Sequence, residues 1–260
     1  MVALRLGLGL ALALFPLQAL AQTAAPSPSP SPQPRPTPPP LGEYVSVEDE
    51  FSPHYYGESG SSNLVNWRAQ VPYDDSAYLV RLKLPVVTGA PPESLTGAGD
   101  LAATNLAAIE YDASHVLAGV TTRFPTANDS LGSHKYSIGP AFGIVKPTGL
   151  WSFGFYSESY FSVIGPKSYP GVGKSKIAPV LSVVLPRGWV VGFSTMQFTY
   201  DYVVNRWTDV PVGLRLEHRG IFGLPQFRVY GDAERNFAHT SDTPSWTYRI
   251  GLRWTIAGPP

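Results

Sequence analysis

"SWTYRIGLRWTI", residues 245–256, decides the fold. Taken two at a time, Trp246, Tyr248, Ile250, Leu252, Trp254 and Ile256 fall on one side of an extended chain. Ser245, Thr247, Arg249, Gly251, Arg253 and Thr255 fall on the other. A period of two is the mark of a strand with unlike faces. A soluble sheet would bury the apolar six and show its arginines to water. A lipid-spanning barrel would do the reverse, with apolar groups outward and arginines in a wet lumen.

The rest of the chain favours the second arrangement. Its 260 residues hold 19 Lys+Arg against 19 Asp+Glu, so there is no basic excess to serve a nucleic acid. With no cysteine there is no disulfide frame and no thiolate metal site. The first 21 residues, "MVALRLGLGLALALFPLQALA", carry Arg5, an apolar run and then Ala19-Leu20-Ala21, the pattern of a secretory signal cut before Gln22. A retained membrane helix is the other reading, against which stand the short run and the cleavage pattern. No later stretch reaches about eighteen uninterrupted apolar residues, so a membrane crossing must be made by strands. Next comes "PSPSPSPQPRPTPPP", residues 26–40, with nine prolines in fifteen. Proline fixes φ and removes a donor, so this arm favours polyproline II and spans roughly 45 Å at about 3.1 Å per residue. It reads as a periplasmic spacer, or as an arm that docks a periplasmic partner. The expected organisation is a signal over 1–21, a linker over 22–43 and a barrel over 44–260.

From residue 41 onward no stretch carries helical spacing, and strands are expected at 44–51, 63–70, 76–84, 103–111, 115–124, 136–145, 150–163, 175–185, 189–201, 207–218, 224–235 and 245–256. That is an all-β chain forming an antiparallel transmembrane barrel of about twelve strands, or ten if 44–70 folds inside or at the base. The connections alternate: "DAS" at 112–114, "KPTG" at 146–149 and "PRG" at 186–188 are short. "PTANDSLGSHK" at 125–135 and "GPKSYPGVGK" at 165–174 are long, and 202–206 breaks the rule. Outer-membrane barrels keep short turns on the periplasmic side and long loops outside. Trp151, Trp189, Trp207 and Trp254 fall where interfacial girdles belong.

Phase also selects the residues expected to line the lumen and tune selectivity. They are Arg81 and Lys83, Glu110, Arg123, Arg215 and Glu217, Arg228, Asp232 and Glu234, and Arg249 and Arg253. Charges of both signs in so narrow a barrel either pair and plug it or line a channel. Tyr136, Tyr160 and Tyr169 are expected at the extracellular mouth, where aromatic rings would supply affinity.

Residues 82–145 carry a strand ending in Leu84-Pro85, then Gly97-x-Gly99-Asp100, "FPTA" at Phe124–Ala127, "LGS" at Leu131–Ser133 and "IGPA" at Ile138–Ala141. In this order the motifs resemble the outer-membrane barrels of the MetA-pathway of phenol degradation family. The resemblance implies a bacterial outer-membrane protein that carries aromatic or other hydrophobic compounds, and brings no catalytic residue. Its motif residues Gly97, Gly99, Asp100, Pro125, Thr126, Gly132, Gly139 and Pro140 are read as loop formers. Glycine permits positive φ in tight loops, and aspartate accepts backbone N–H bonds there.

The function expected is passage or binding of small hydrophobic or aromatic molecules by a monomer. Its partners would be outer-membrane lipid, a small-molecule solute and the barrel-assembly machinery, with no cofactor, metal or nucleic acid. A second reading makes the barrel an anchor for the proline arm. A third, a lipid hydrolase, would need His218, which phase puts on the apolar face. However, there is no Gly-x-Ser-x-Gly, and the five histidines lack metal-ligand spacing.

Overall fold

The computed structural model describes residues 42–57, 59–73, 78–89, 95–127, 131–238, 240 and 243–257. The expected signal and the proline arm lie outside them. What is described is a closed antiparallel barrel of 12 strands. We number the wall β1 (Glu43–Ser52), β2 (Ser62–Tyr73), β3 (Tyr78–Gly89), β4 (Leu101–Tyr111), β5 (Ser114–Phe124) and β6 (Tyr136–Thr148). It continues with β7 (Trp151–Ile164), β8 (Gly173–Val184), β9 (Trp189–Phe193, resuming as Phe198–Asp201), β10 (Arg206–Asp209, resuming as Pro211–Arg219), β11 (Phe227–Asn236) and β12 (Trp246–Ala257).

Each strand pairs with the next, and β1 closes the wall against β12 through Val47↔Leu252, Glu48↔Gly251 and Phe51↔Tyr248. The choice between ten and twelve strands is therefore settled at twelve, with 44–70 supplying β1 and β2. Two expected strands, 189–201 and 207–218, are each interrupted once, β9 at Ser194–Gln197 and β10 at Val210. Gly139 and Pro140, expected in a loop, belong to the wall strand β6. Phase explains the difference: their neighbours Ile138 and Ala141 keep the in-and-out alternation, with Ile138 exposed and Ala141 buried.

One rim carries the short connections and both ends of the wall, since Glu43 pairs with Ala257. At the β4–β5 turn Asp112 and Ala113 both take positive φ, at 47° and 56°. That is the I′ geometry whose twist matches a two-residue hairpin. The long loops stand at the other rim, where Tyr202–Asn205 is a short exception as expected.

The wall is apolar outside. Ile250 is 62% exposed and Leu214 63%, whereas Thr247 on the opposite face of β12 is 6% exposed. A soluble sheet would invert those values. Trp151, Trp189, Trp207 and Trp254 are all exposed on the outer surface. Inside, toward the short turns, Leu79, Leu106, Leu117 and Ala141 form a buried cluster with Ala108 and Tyr156 packed on it.

Candidate functional site

The interior divides into two unlike walls. On β10, β11, β12, β1 and β2 the charges pair in one continuous network. Arg249 donates through Nε to Glu50 Oε2 at 2.7 Å, and its Nη1 lies 2.8 Å from Glu234 Oε2 and 3.1 Å from Asp232 Oδ1. Arg215 donates to Asp232, with Nε to Oδ2 at 2.9 Å, and stacks 4.2 Å from the Tyr230 ring. Glu48, fully buried, accepts from Arg68 Nη2 at 2.6 Å and from Tyr230 Oη at 2.8 Å. Buried charges are tolerated only when paired and hydrogen-bonded, and each carboxylate here has at least one guanidinium partner. Nearer the short-turn rim Glu217 lies 3.2 Å from Arg219 Nε and 3.6 Å from Arg228 Nη1, while Arg253 caps the Tyr44 ring at 4.6 Å.

The facing wall, β3 to β8, is cationic and aromatic. Arg81 donates from Nε to Gln70 Oε1 at 2.8 Å and lies 5.2 Å from the Tyr156 ring centre. Arg123 lies 4.5 Å above Tyr160, whose hydroxyl donates to Glu158. Lys176 reaches Gln197 Oε1 at 3.3 Å. Lys83 is paired in the wall through its backbone, but among the described residues its side chain has no hydrogen bond and no ion pair.

Between the walls lies a cavity of about 460 Å³, a volume in the range that takes a small-molecule ligand. It runs from Asp100, Leu131 and Ser133 among the long loops down to Arg81, Tyr156 and Tyr44. Its lining holds Arg68, Arg81, Lys83, Arg123 and Lys176 against two carboxylates, Asp100 and Glu158. A second cavity of about 240 Å³ shares Arg68, Lys83, Lys176, Thr195 and Gln197 with the first. Chemically, the space presents unsatisfied cationic donors beside tyrosine faces, an environment that favours an anion with an apolar or aromatic body.

The residues singled out by phase are distributed over this geometry. Arg81, Lys83 and Arg123 stand on the cavity wall. Arg215, Asp232, Glu234 and Arg249 belong to the paired network, and Glu217, Arg228 and Arg253 sit below it. Glu110 is exposed at the end of β4, outside the network. Tyr160 departs from expectation: it is 3% exposed inside the barrel, because even-numbered positions of β7 face inward and Arg123 holds its ring. Tyr136 packs edge-on against Phe124, and Tyr169 stacks on His134 at 3.9 Å. His218 makes an edge-on contact with Trp189 on the outer wall at 4.6 Å, and among the described residues no hydrogen bond joins it to a serine.

The motif residues build a tie among the long loops. Gly97–Ala98 pairs with Val86 and Val87, and the Gly99 amide donates to the Pro85 carbonyl at 2.8 Å. Asp100 accepts from the Ser133 amide at 2.9 Å and hydroxyl at 2.7 Å, and from the Ala127 amide at 3.3 Å. Thr126, following Pro125, accepts from the Leu101 amide at 2.8 Å. A Cβ at Gly132 would stand 2.9 Å from Asp100 Oδ1, so only glycine lets the carboxylate in.

Sequence reasoning missed Glu48, Glu50, Arg68, Glu158 and Lys176. The signal was present in the same alternation, Tyr44-Ser46-Glu48-Glu50 on β1 and Asn66-Arg68-Gln70 on β2.

No family model matches the sequence, and no curated protein matches it. Solved structures do. An outer-membrane channel from Pseudomonas putida F1 superposes with a TM-score of 0.60 at 14% identity, over 84% of this chain and 96% of that one. A NanC porin gives 0.60 at 11% identity, over 82% of this chain and 100% of the other. At such identities the likeness is one of fold: this chain is similar to outer-membrane channels and porins in having a closed antiparallel barrel.

Proposed function

We propose that the barrel resides in the outer membrane and passes small solutes, with the interior favouring anions that carry an aromatic or apolar part. The observation that carries this reading is the cavity of about 460 Å³ lined by five cations and two carboxylates beside Tyr156 and Tyr160. The apolar outer wall supports residence in lipid, and the N-terminal 21 residues support export to the periplasm with the long loops outward. Solute would arrive at the long loops tied by Asp100, lose part of its hydration among arginines and lysines, and rest against tyrosine rings. Arg81, Lys83, Arg123, Arg249 and Arg253 are the lumen residues we assign to selectivity, the first three by direct contact. Membership of the MetA-pathway of phenol degradation family and a monomeric state belong to the same proposal.

The test is conductance of the refolded protein in a planar bilayer under a salt gradient, with benzoate then added. A reversal potential on the anion side and block by benzoate, stronger than by neutral phenol, are expected. Cation preference, or equal block by the two, would overturn the anionic assignment.

A further inference from the structure

The two interior walls meet at β9, whose cavity-lining residues, Thr195, Gln197 and Thr199, carry no charge. Thr195 and Gln197 lie in the interruption of that strand, where pairing with β8 slips by one residue between Gly192↔Ser182 and Phe198↔Ile177. Past the slip the ladders align one row: Lys176 of β8 pairs with Thr199, and Thr199 pairs with Asp209 of β10. All three residues line the smaller cavity, of about 240 Å³. A cation and a carboxylate therefore face one space with a neutral strand between them, two strand spacings or about 9.6 Å apart at the backbone. Among the described residues no ion pair joins them, or joins either to another residue, and the Lys176 ammonium has the neutral Gln197 Oε1 at 3.3 Å.

Asp209 is positioned but not neutralised. Asn236 Nδ2 donates to its Oδ1 at 3.2 Å, and Asn236 is itself fixed by accepting from the Val210 amide at 2.9 Å. The other oxygen, Oδ2, is reached at 3.4 Å by the Thr208 hydroxyl, which stands equally 3.4 Å from the Thr199 carbonyl and has one hydrogen for the two. A carboxylate that faces a cavity with no cation of its own leaves an acceptor for whatever enters. The other carboxylates on this cavity, Glu50 and Glu234, are paired with Arg249. Glu158 flanks Lys176 from β7 but accepts the Tyr160 hydroxyl within the cationic wall. Lys83 and Lys176 line both cavities, so two lysines and Asp209 border one space. The larger cavity beyond the lysines offers Leu64, Leu131, Tyr156 and Tyr160.

We propose that the two cavities together recognise a zwitterion with an aromatic body, chemically an aromatic α-amino acid. Its carboxylate lies between Lys83 and Lys176, its ammonium at Asp209 Oδ2 in the smaller cavity, and its ring in the larger one against Tyr156 and Tyr160. An α-amino acid carries both charges on one carbon, so its headgroup matches a cation and an anion held in one row while its ring extends away from both. An aromatic acid without the ammonium would use the same lysines but bring a like charge toward Asp209, and an aromatic amine would meet the lysines. The zwitterionic site rests on the solute-passage reading and adds the second charge that the solute carries.

The test is equilibrium dialysis of radiolabelled L-phenylalanine against the refolded protein in detergent micelles, which reads binding whether or not the pore conducts. Competition with hydrocinnamate, which is phenylalanine without its ammonium, and with phenethylamine, which lacks the carboxylate, separates the two charges. Phenylalanine is expected to bind about tenfold more tightly than either, the worth of one charge contact in a partly screened interior. Asp209→Asn, which keeps the size of the side chain, should erase the advantage over hydrocinnamate. Lys83→Met with Lys176→Met should erase the advantage over phenethylamine. Equal binding of phenylalanine and hydrocinnamate by the unaltered protein would overturn the zwitterionic site without need of any variant. So would an advantage that survives Asp209→Asn, whether or not Glu158→Gln removes it. Benzoate block retained with phenylalanine unbound rejects the zwitterionic site alone, while loss of benzoate block as well rejects the solute-passage reading.

Discussion

Tyr230 donates its hydroxyl to Glu48 Oε2 over 2.8 Å by laying its ring across Gly251, so a residue of β11 reaches a residue of β1 over the strand between them. A Cβ at Gly251 would overlap that ring. The seam where the barrel closes is thus tied from inside as well as by its ladder.

Replacing Gly251 with alanine should push the Tyr230 ring off Glu48 and leave a buried carboxylate with one acceptor site unused. We expect a loss of about 2 kcal/mol, the scale of overpacking combined with a lost charge-assisted bond. Denaturant titration followed by heat-modifiable migration would read it, and Tyr230→Phe, which keeps the ring, should lose about half as much.

Arg249 joins Glu50, Asp232 and Glu234, so Arg249→Met leaves three carboxylates short of a cation. Removing one partner of a buried set is worth about 3–5 kcal/mol, and the same titration should show a loss in that range. Recovery in the combined Arg249→Met, Glu234→Gln variant would identify the unpaired charge as the cause.

Lys83 and Lys176 line both cavities from β3 and β8, the two ends of the cationic wall. Substituting both with methionine removes two cations from the space where an anion would rest. At a partly screened interior each is worth about 1–2 kcal/mol, so the benzoate block should weaken by about tenfold or more while the barrel stays folded.

At the β4–β5 turn, Ala113 holds φ of 56°, a conformation alanine pays for and glycine does not. Ala113→Gly should stabilise the hairpin by about 0.5 kcal/mol, the relief of left-handed strain less the added freedom of the unfolded chain. A small upward shift in the unfolding midpoint is the expected reading.

The neighbouring Asp112 accepts from Lys146 Nζ at 2.9 Å, and that hydrogen bond holds its carboxyl below the ordinary range. A depressed carboxylate contributes when ionised, so its contribution is present above about pH 4 and is lost as pH falls through the lowered value. Amide exchange in the turn, measured down to acidic pH, should rise across that window, and Lys146→Met should remove the pH dependence.

Alternation determined that the chain is built of strands with unlike faces, and its combination with strand length, alternating connection lengths, the N-terminal export pattern and the tryptophan ends determined the class of the fold. The period of two in "SWTYRIGLRWTI" fits a soluble sheet as well as a lipid-facing barrel, and those further features separate the two; the strand positions followed from turn chemistry. The inward face of each strand was equally legible, because a side chain's face depends on its position within one strand. Only the tertiary structure decided what meets what. Glu48 and Glu50 carried the same phase signal as Arg249, yet the Glu50–Arg249 and Glu48–Tyr230 contacts depend on closure of the first strand against the last, about two hundred residues away in sequence. Tyr160, expected at the mouth, is shown to be inside the lumen only by the packing that puts Arg123 over its ring. The break at Thr195–Gln197 was hidden for the same reason: a one-residue slip in register is a relation between neighbouring strands, and no single strand contains it.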